Sequence, residues 1–285
     1  MTGTTDPPPS LRVGRTTQIL TWTVALIALA YFMFPVMWLI ISSTKSNADL
    51  LRTHPLAIGD NLIQNYHSLQ AWTGSLFWRW VGNSILYSTV AGVVGTLVSV
   101  SAGYGLAKFR FPGRGVVQLV VLSGLLLPIV LLTVPLYLVF LRLGMVDTIW
   151  AVIIPSCVSP FGVFLGRIYA EGVPDELLEA ARIDGAGELR IFGGVVLRQL
   201  APAMVTIFLF IFTMTWNNFL LPLMMISSAE LKPVTLGLYG MMSYFNPQYG
   251  AVLQGALLGV VPLIVLFLAL QRFWRSGLTA GAVKG

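Results

Sequence analysis

The stretch Thr213-Met214-Thr215-Trp216-Asn217-Asn218 sets two amides, two hydroxyls and an indole inside 31 uncharged residues between Arg198 and Glu230. Burying an amide without a partner costs about 1–3 kcal/mol. Trp216, Asn217 and Asn218 therefore want either a neighbouring helix or a solvated path. If they line a path, with Asn83 and Tyr137 as further neutral groups at depth, its chemistry suits an uncharged, hydroxyl-rich solute. Amides bond hydroxyls, and aromatic rings stack on the apolar faces of sugars. A second concentration of chemistry lies in Glu171–Pro202, where Glu171, Asp175, Glu176, Glu179, Asp184 and Glu188 supply six of the eleven acids. Val173-Pro174-Asp175-Glu176 reads as a helix start, with proline at the first position and acids on the positive end of the dipole. Asp184-Gly185 ends it after about ten residues, or about 15 Å. Its alanines permit close approach to a partner surface, and an amphipathic helix lying on lipid satisfies the same pattern.

Other chemistry is missing from the pattern. The apolar stretches contain no Asp, Glu, Lys, Arg or His, so they offer neither a proton relay nor an arginine ladder. There is no GxxxxGK[ST] phosphate loop, no GxSxG and no HExxH. His54 and His67 lack metal-ligand partners at suitable spacing. The single Cys157 excludes an intrachain disulfide and reads as a small packed hydrophobe. No catalytic or metal residue is assigned.

The elements that must carry these groups follow from composition. Of 285 residues, 56% are hydrophobic and only 10% charged, against about 25% charged in soluble domains. The chain cannot cover a water-facing surface, which excludes a soluble enzyme. A net charge of +6 fits the cationic loops of a membrane protein better than nucleic-acid binding, because no basic run exceeds two residues. A helix needs about 20 apolar residues to cross a bilayer. The gaps between charges hold six such spans, about 17–41, 81–107, 115–141, 148–168, 201–226 and 249–271. The expected fold is an all-α integral membrane protein with six transmembrane helices and a cytoplasmic loop over 169–200. Residues 1–16 and 273–285 are tails, the first too rich in proline to pack, and 17–272 form the membrane domain. With both termini cytoplasmic, twelve Lys and Arg lie inside and five outside, as positive-inside asymmetry requires.

Small residues recur every four positions at Ala91, Gly95, Ser99 and Gly103, and again at Ala251, Gly255 and Gly259. Such stripes let helix backbones approach closely in lipid, within this bundle or against a second membrane subunit. Prolines at 35, 128, 135, 155, 160, 222 and 262 free helix carbonyls at depth, a device of transport proteins that inert spans also tolerate.

Glu179-Ala180-Ala181-Arg182-Ile183-Asp184-Gly185-Ala186-Gly187, continuing to Ile191-Phe192 and Pro202, resembles the EAA loop of ABC importer permeases. Asn83-Ser84, Tyr104-Gly105-Leu106-Ala107-Lys108-Phe109-Arg110-Phe111-Pro112-Gly113, Pro128 with Pro135-Leu136, Leu143–Thr148 and Trp216–Phe219 are similar to the carbohydrate-uptake branch. The tail Gly277–Gly285 resembles that of the maltose-type permease subunit. The resemblance implies a bacterial cytoplasmic-membrane permease working by alternating access, with two ATP-binding-cassette ATPase subunits, a second permease subunit and an extracytoplasmic solute-binding protein. Glu179, Ala180, Ala181, Asp184 and Gly185 would couple to the ATPase, and Leu278, Thr279 and Lys284 would touch it through the tail. This chain would bind no cofactor, ATP and Mg belonging to the partner. A sugar or sugar derivative is the implied solute, a glycerophosphodiester or polyol the alternative, and an ATP-independent secondary carrier the competing class. Two positions depart from the family pattern. Leu197-Arg198 replaces the usual Leu-Pro, which implies a less kinked second loop helix, and Asn218 stands where an acid is common.

Overall fold

The computed structural model describes residues 14–242 and 248–280, the side chains at 272 and 274–280 excepted. Every regular element among the described residues is helical. Four helical stretches are long and apolar enough to cross a membrane: Arg15–Ser43, Phe77–Lys108, Trp150–Glu171 and Tyr249–Gln271. Two bent pairs raise the number to as many as six.

Helix α1 (Arg15–Ser43) is apolar all round and runs through Pro35. Most of its residues stay exposed to the chain's surroundings, Ala28, Leu39 and Ile41 being half-buried, until Ser42 and Ser43, which are buried. A connecting segment follows, built around polar groups. The buried Lys45 ammonium donates to the carbonyls of His54 (2.7 Å) and Pro55 (3.3 Å). Asn65, on α2 (Leu62–Thr73), donates its amide to Ser43 O and Lys45 O. His54 Nδ1 accepts from the Leu56 N–H, a local turn contact.

Helix α3 (Phe77–Lys108) is the central post. Its small-residue stripe packs inside the chain. A Cβ added at Gly103 would sit 2.5 Å from the backbone nitrogen of Arg167, and one at Gly95 would sit 2.9 Å from Cys157 O. The surface they meet is α6 (Trp150–Ser156) and α7 (Pro160–Glu171). Ser159 caps α7 by accepting from Gly162 N–H, with Pro160 at the first position. Backbones at this separation leave no room for branched side chains, which is why the stripe is small.

The 115–141 stretch is not one straight rod. α4 (Arg114–Leu126) and the stretch Ile129–Arg142, which ends in α5 (Thr133–Arg142), meet at 104°. Pro128 has no N–H to continue the ladder, and it holds Leu127 in extended backbone. The loop carries α8 (Asp175–Ile183), then α9 (Glu188–Gln199), which bends by 80° into α10 (Ala201–Trp216). Arg198 in place of proline does not leave this region straight: Phe192–Val196 forms a π turn and the bend falls at Leu200, ahead of Pro202. Residues 217–219 break the next expected span before α11 (Leu220–Met225). Short helix α12 (Val234–Tyr239) and α13 (Tyr249–Ala280) are the last described elements. The stripe on α13 is also used internally: a Cβ at Gly255 would meet Leu238 at 2.5 Å. Helix α13 continues as backbone past 271, through Leu278 and Thr279. Their side chains, and Lys284 altogether, lie outside the described residues.

Candidate functional site

The residues of the loop over 169–200 form one surface because α8 is pinned on its other side. Leu178 is 2% exposed and packs with Tyr104, Ala170, Ile191, Val196 and Leu200. Ala181 and Ala186 lie half-buried against the same cluster. Glu179, Ala180 and Asp184 point away and are exposed. Ile183 is 87% and Leu189 is 89% exposed. These two large aliphatic side chains flank a tight turn and are left uncovered by the described residues.

Gly185 makes the turn. Its φ is +80°, a left-handed conformation that glycine adopts without Cβ strain. Gly185 N–H donates to Arg182 O and Ala186 N–H to Ala181 O, both at 3.0 Å. This is the Schellman pattern, with Ala186 and Ala181 as its apolar contact. Arg182 clasps α8 to α9 through Glu188, Nε to Oε1 at 2.7 Å and Nη2 to Oε2 at 3.3 Å. The guanidinium hydrogen bond holds the Glu188 carboxyl below the usual carboxylate range and raises Arg182. At the other end, Lys108 Nζ donates to Val173 O and to Asp175 Oδ1, both at 2.6 Å. Lys108 closes α3, so these contacts tie the start of α8 to the central post. The sequence places Lys108 in a family-like stretch and Leu178 on the short loop helix without giving either a role, and it gives Leu189 none. The apolar spacing of Leu178, Ile191 and Val196 was the available signal for the pin.

The second group divides. Trp216 is 3% exposed, with its ring stacked on Phe212 at 5.8 Å. It packs in an outer core with Phe77, Trp80 and Leu238. Asn217 is exposed, and its amide donates back to Thr213 O at 2.9 Å. Asn218 is half-buried; its Oδ1 accepts from Leu221 N–H and its backbone oxygen from the Thr235 hydroxyl. Tyr137 is half-buried against a third cluster that also takes Phe219. Asn83 lies elsewhere, among Trp80, Ser84 and Tyr87 on one face of α3. The Asn83 amide donates to Glu230 O (2.7 Å) and Lys232 O (3.0 Å). Trp80 Nε1 donates to Ala229 O, Tyr87 OH to Leu231 O, and Ser84 Oγ accepts from Val234 N–H. Spacing of i, i+3, i+4 and i+7 places all four along one ridge, which binds the outer segment 229–234.

Asp147 completes that latch. Its Oδ1 accepts from Ser227 N–H and Ser228 N–H, both at 2.9 Å, while Oδ2 accepts from the Ser228 hydroxyl. Its φ is +61° and its own N–H donates to Met225 O. The Ser228 hydroxyl and the backbone donors favour the ionised carboxylate and hold it below the ordinary value of 3.8. A depressed carboxylate stabilises the fold above its unfolded pKa and loses that contribution as pH falls through the folded one. Cleavage of the 227–234 segment by added protease should therefore be unchanged from neutral pH to about pH 4 and rise below it. In Asp147→Asn the segment should already be sensitive at neutral pH; equal protection of that variant would remove the latch role.

The family of binding-protein-dependent transport system inner membrane components matches residues 95–276, which include α8, its turn and the break after Trp216. The chain belongs to this family. Several permeases are similar along nearly the whole length. The arabinooligosaccharides transport system permease protein AraQ of Halalkalibacterium halodurans is 35% identical over 95% of this chain and 99% of the relative. AraQ of Bacillus subtilis is 33% identical over 89% and 91%. The lactose transport system permease protein LacG of Rhizobium radiobacter is 31% identical over 95% and 97%. Among solved structures, a bacterial ABC transporter involved in import of the acidic polysaccharide alginate aligns with a TM-score of 0.77. That alignment covers 92% of this chain and 99% of that one at 22% identity, which shows the fold. The permease is a multi-pass protein of the bacterial cytoplasmic membrane, and it is a transport component rather than an enzyme. ATPase, second permease and solute-binding protein are the general partners of such a system.

Proposed function

We propose that this permease forms half of a sugar-translocation pathway, driven by two ATPase subunits and supplied by an extracytoplasmic solute-binding protein. The observation that carries this reading is full-length similarity to permeases named for arabinooligosaccharide and lactose transport. The twelve-to-five distribution of Lys and Arg supports six spans with both termini in the cytoplasm. Glu179, Ala180, Asp184 and Gly185, with exposed Ile183 and Leu189, form the proposed seat for one ATPase, and Ala181 fixes the helix that presents them. Leu278, Thr279 and Lys284 extend that contact from the tail. The chain itself takes no cofactor; ATP and Mg act in the ATPase.

Of the groups at the break, Asn217 with Thr213 is the part proposed to meet solute. Both are exposed, one helical turn apart, and uncharged; the Asn217 amide nitrogen is held by Thr213 O, which leaves its side-chain oxygen and the Thr213 hydroxyl as groups that lipid would not satisfy. Trp216 supports them from behind by packing. In the assembled complex reconstituted in liposomes, Asn217→Ala should raise the half-saturating solute concentration about three- to tenfold, the loss of about one net hydrogen bond. Trp216→Ala should instead lower the yield of folded complex, through loss of a buried aromatic. Unaltered solute affinity in Asn217→Ala would remove this residue from the path. A glycerophosphodiester or polyol is the second reading; the nearest chemistry among the relatives is a phosphorylated glycerol, named for the sn-glycerol-3-phosphate transport system permease protein UgpE of Brucella abortus at 26% identity. Competition of uptake by arabino-oligosaccharide or by glycerol 3-phosphate separates the two.

A further inference from the structure

Near the loop end of the bundle, α3, α4 and α7 leave a cleft of about 310 Å³ whose lining includes Ala102, Gly105, Leu106, Val117, Val121 and Val163. Every residue lining it is apolar or glycine. A smaller recess continues past Leu106, Val121 and Val163 to Gln118 and Arg167. There the Gln118 side-chain oxygen, in the amide orientation that satisfies both sides, accepts from Arg167 Nη1 at 3.1 Å and from Arg114 Nε at 3.3 Å. Two guanidinium groups thus converge on one neutral oxygen. Glu171 pairs with Arg167 at 2.9 Å, and among the described residues Arg114 has no acidic partner. The rim therefore carries excess positive charge beside an apolar slot that the described residues leave unfilled.

We propose that this cleft binds an anionic phospholipid of the cytoplasmic leaflet. The phosphate sits on Arg114 and Arg167 and one acyl chain lies in the slot. The two halves of the site match the two halves of the ligand. Cations at a membrane surface attract anionic headgroups, and the apolar lining requires a hydrocarbon rather than a soluble anion. The assignment to the cytoplasmic leaflet rests on the orientation proposed above.

The test is native mass spectrometry of the purified importer complex titrated with phosphatidylglycerol or phosphatidylcholine. Arg114→Gln with Arg167→Gln should weaken phosphatidylglycerol retention by about fivefold per arginine and leave phosphatidylcholine unchanged. Gly105→Leu should reduce retention of both lipids. A Cβ at Gly105 meets nothing within 4 Å, so the leucine enters the slot without displacing protein atoms. Unchanged phosphatidylglycerol retention in both variants would overturn the proposal. So would efficient cross-linking of Val117→Cys to the second permease, which would show that a protein helix fills the slot. If both lipid effects appear while Arg110→Cys is labelled only from outside the cell, the lipid site stands and the orientation falls.

Discussion

Complexes carrying Gly185→Val are expected to insert and assemble normally, yet to import solute about tenfold less per ATP hydrolysed. The reason is local. At φ +80° a side chain with a Cβ costs about 1–2 kcal/mol, and a β-branched one is especially ill-suited. The cost falls on the turn that closes α8, where Gly185 and Ala186 donate their N–H groups to Arg182 and Ala181. A turn populated about 5- to 30-fold less no longer presents Ile183, Asp184 and Leu189 as one rigid surface. The core beneath is untouched, because Leu178 and Ile191 hold the loop from the other side. Gly187→Ala is the matched control: its φ is −71° and an added Cβ meets nothing within 4 Å. ATPase and uptake rates measured on the same proteoliposomes check the pair. Normal coupling in Gly185→Val would show that the turn transmits nothing.

Gly103→Val should act on folding instead. Its first added carbon would lie 2.5 Å from Arg167 N and 2.6 Å from Gly166 C. These are backbone atoms, which cannot swing aside as a flexible side chain can. Separating α3 from α7 also loosens Ser99 from Gly162 and Gly95 from Cys157. Overpacking of this kind costs about 1–3 kcal/mol, and the complex should unfold several degrees lower with a reduced yield. Two positions along, Gly105→Ala should be neutral or slightly stabilising, since it faces open space and removes glycine from a helix interior. Thermal unfolding of the two variants side by side checks the contrast. Equal stability would mean that α3 and α7 do not approach to backbone contact at Gly103.

That stripe was legible in the sequence because its signal is local: a four-residue recurrence of Ala, Gly and Ser has one simple reading on a helix. The short loop helix was legible for the same reason, with Pro174 and the acids at one end and Asp184-Gly185 at the other. Fold details that depend on distant partners were not. Nothing near Asn83 announces that its amide will bind carbonyls about 150 positions away, at Glu230 and Lys232. Hydropathy likewise runs unbroken through Leu127-Pro128, so the 104° bend is invisible to a count of apolar residues. At the break, composition marks Trp216–Asn218 as polar and aromatic but does not say which way each side chain turns. The buried stacking of Trp216 and the exposure of Asn217 are set by Phe212 and by the end of α10.

The proposed role of this chain is that of a passive gate moved by an ATPase through α8. Its most direct test is solute uptake into liposomes holding either the isolated chain or the full complex with binding protein, with and without ATP inside the compartment that α8 faces. Uptake only by the full complex, only with ATP, and reduced by Gly185→Val is the predicted result. Transport by the isolated chain in the absence of ATP, at a rate like that of the full complex, would contradict it.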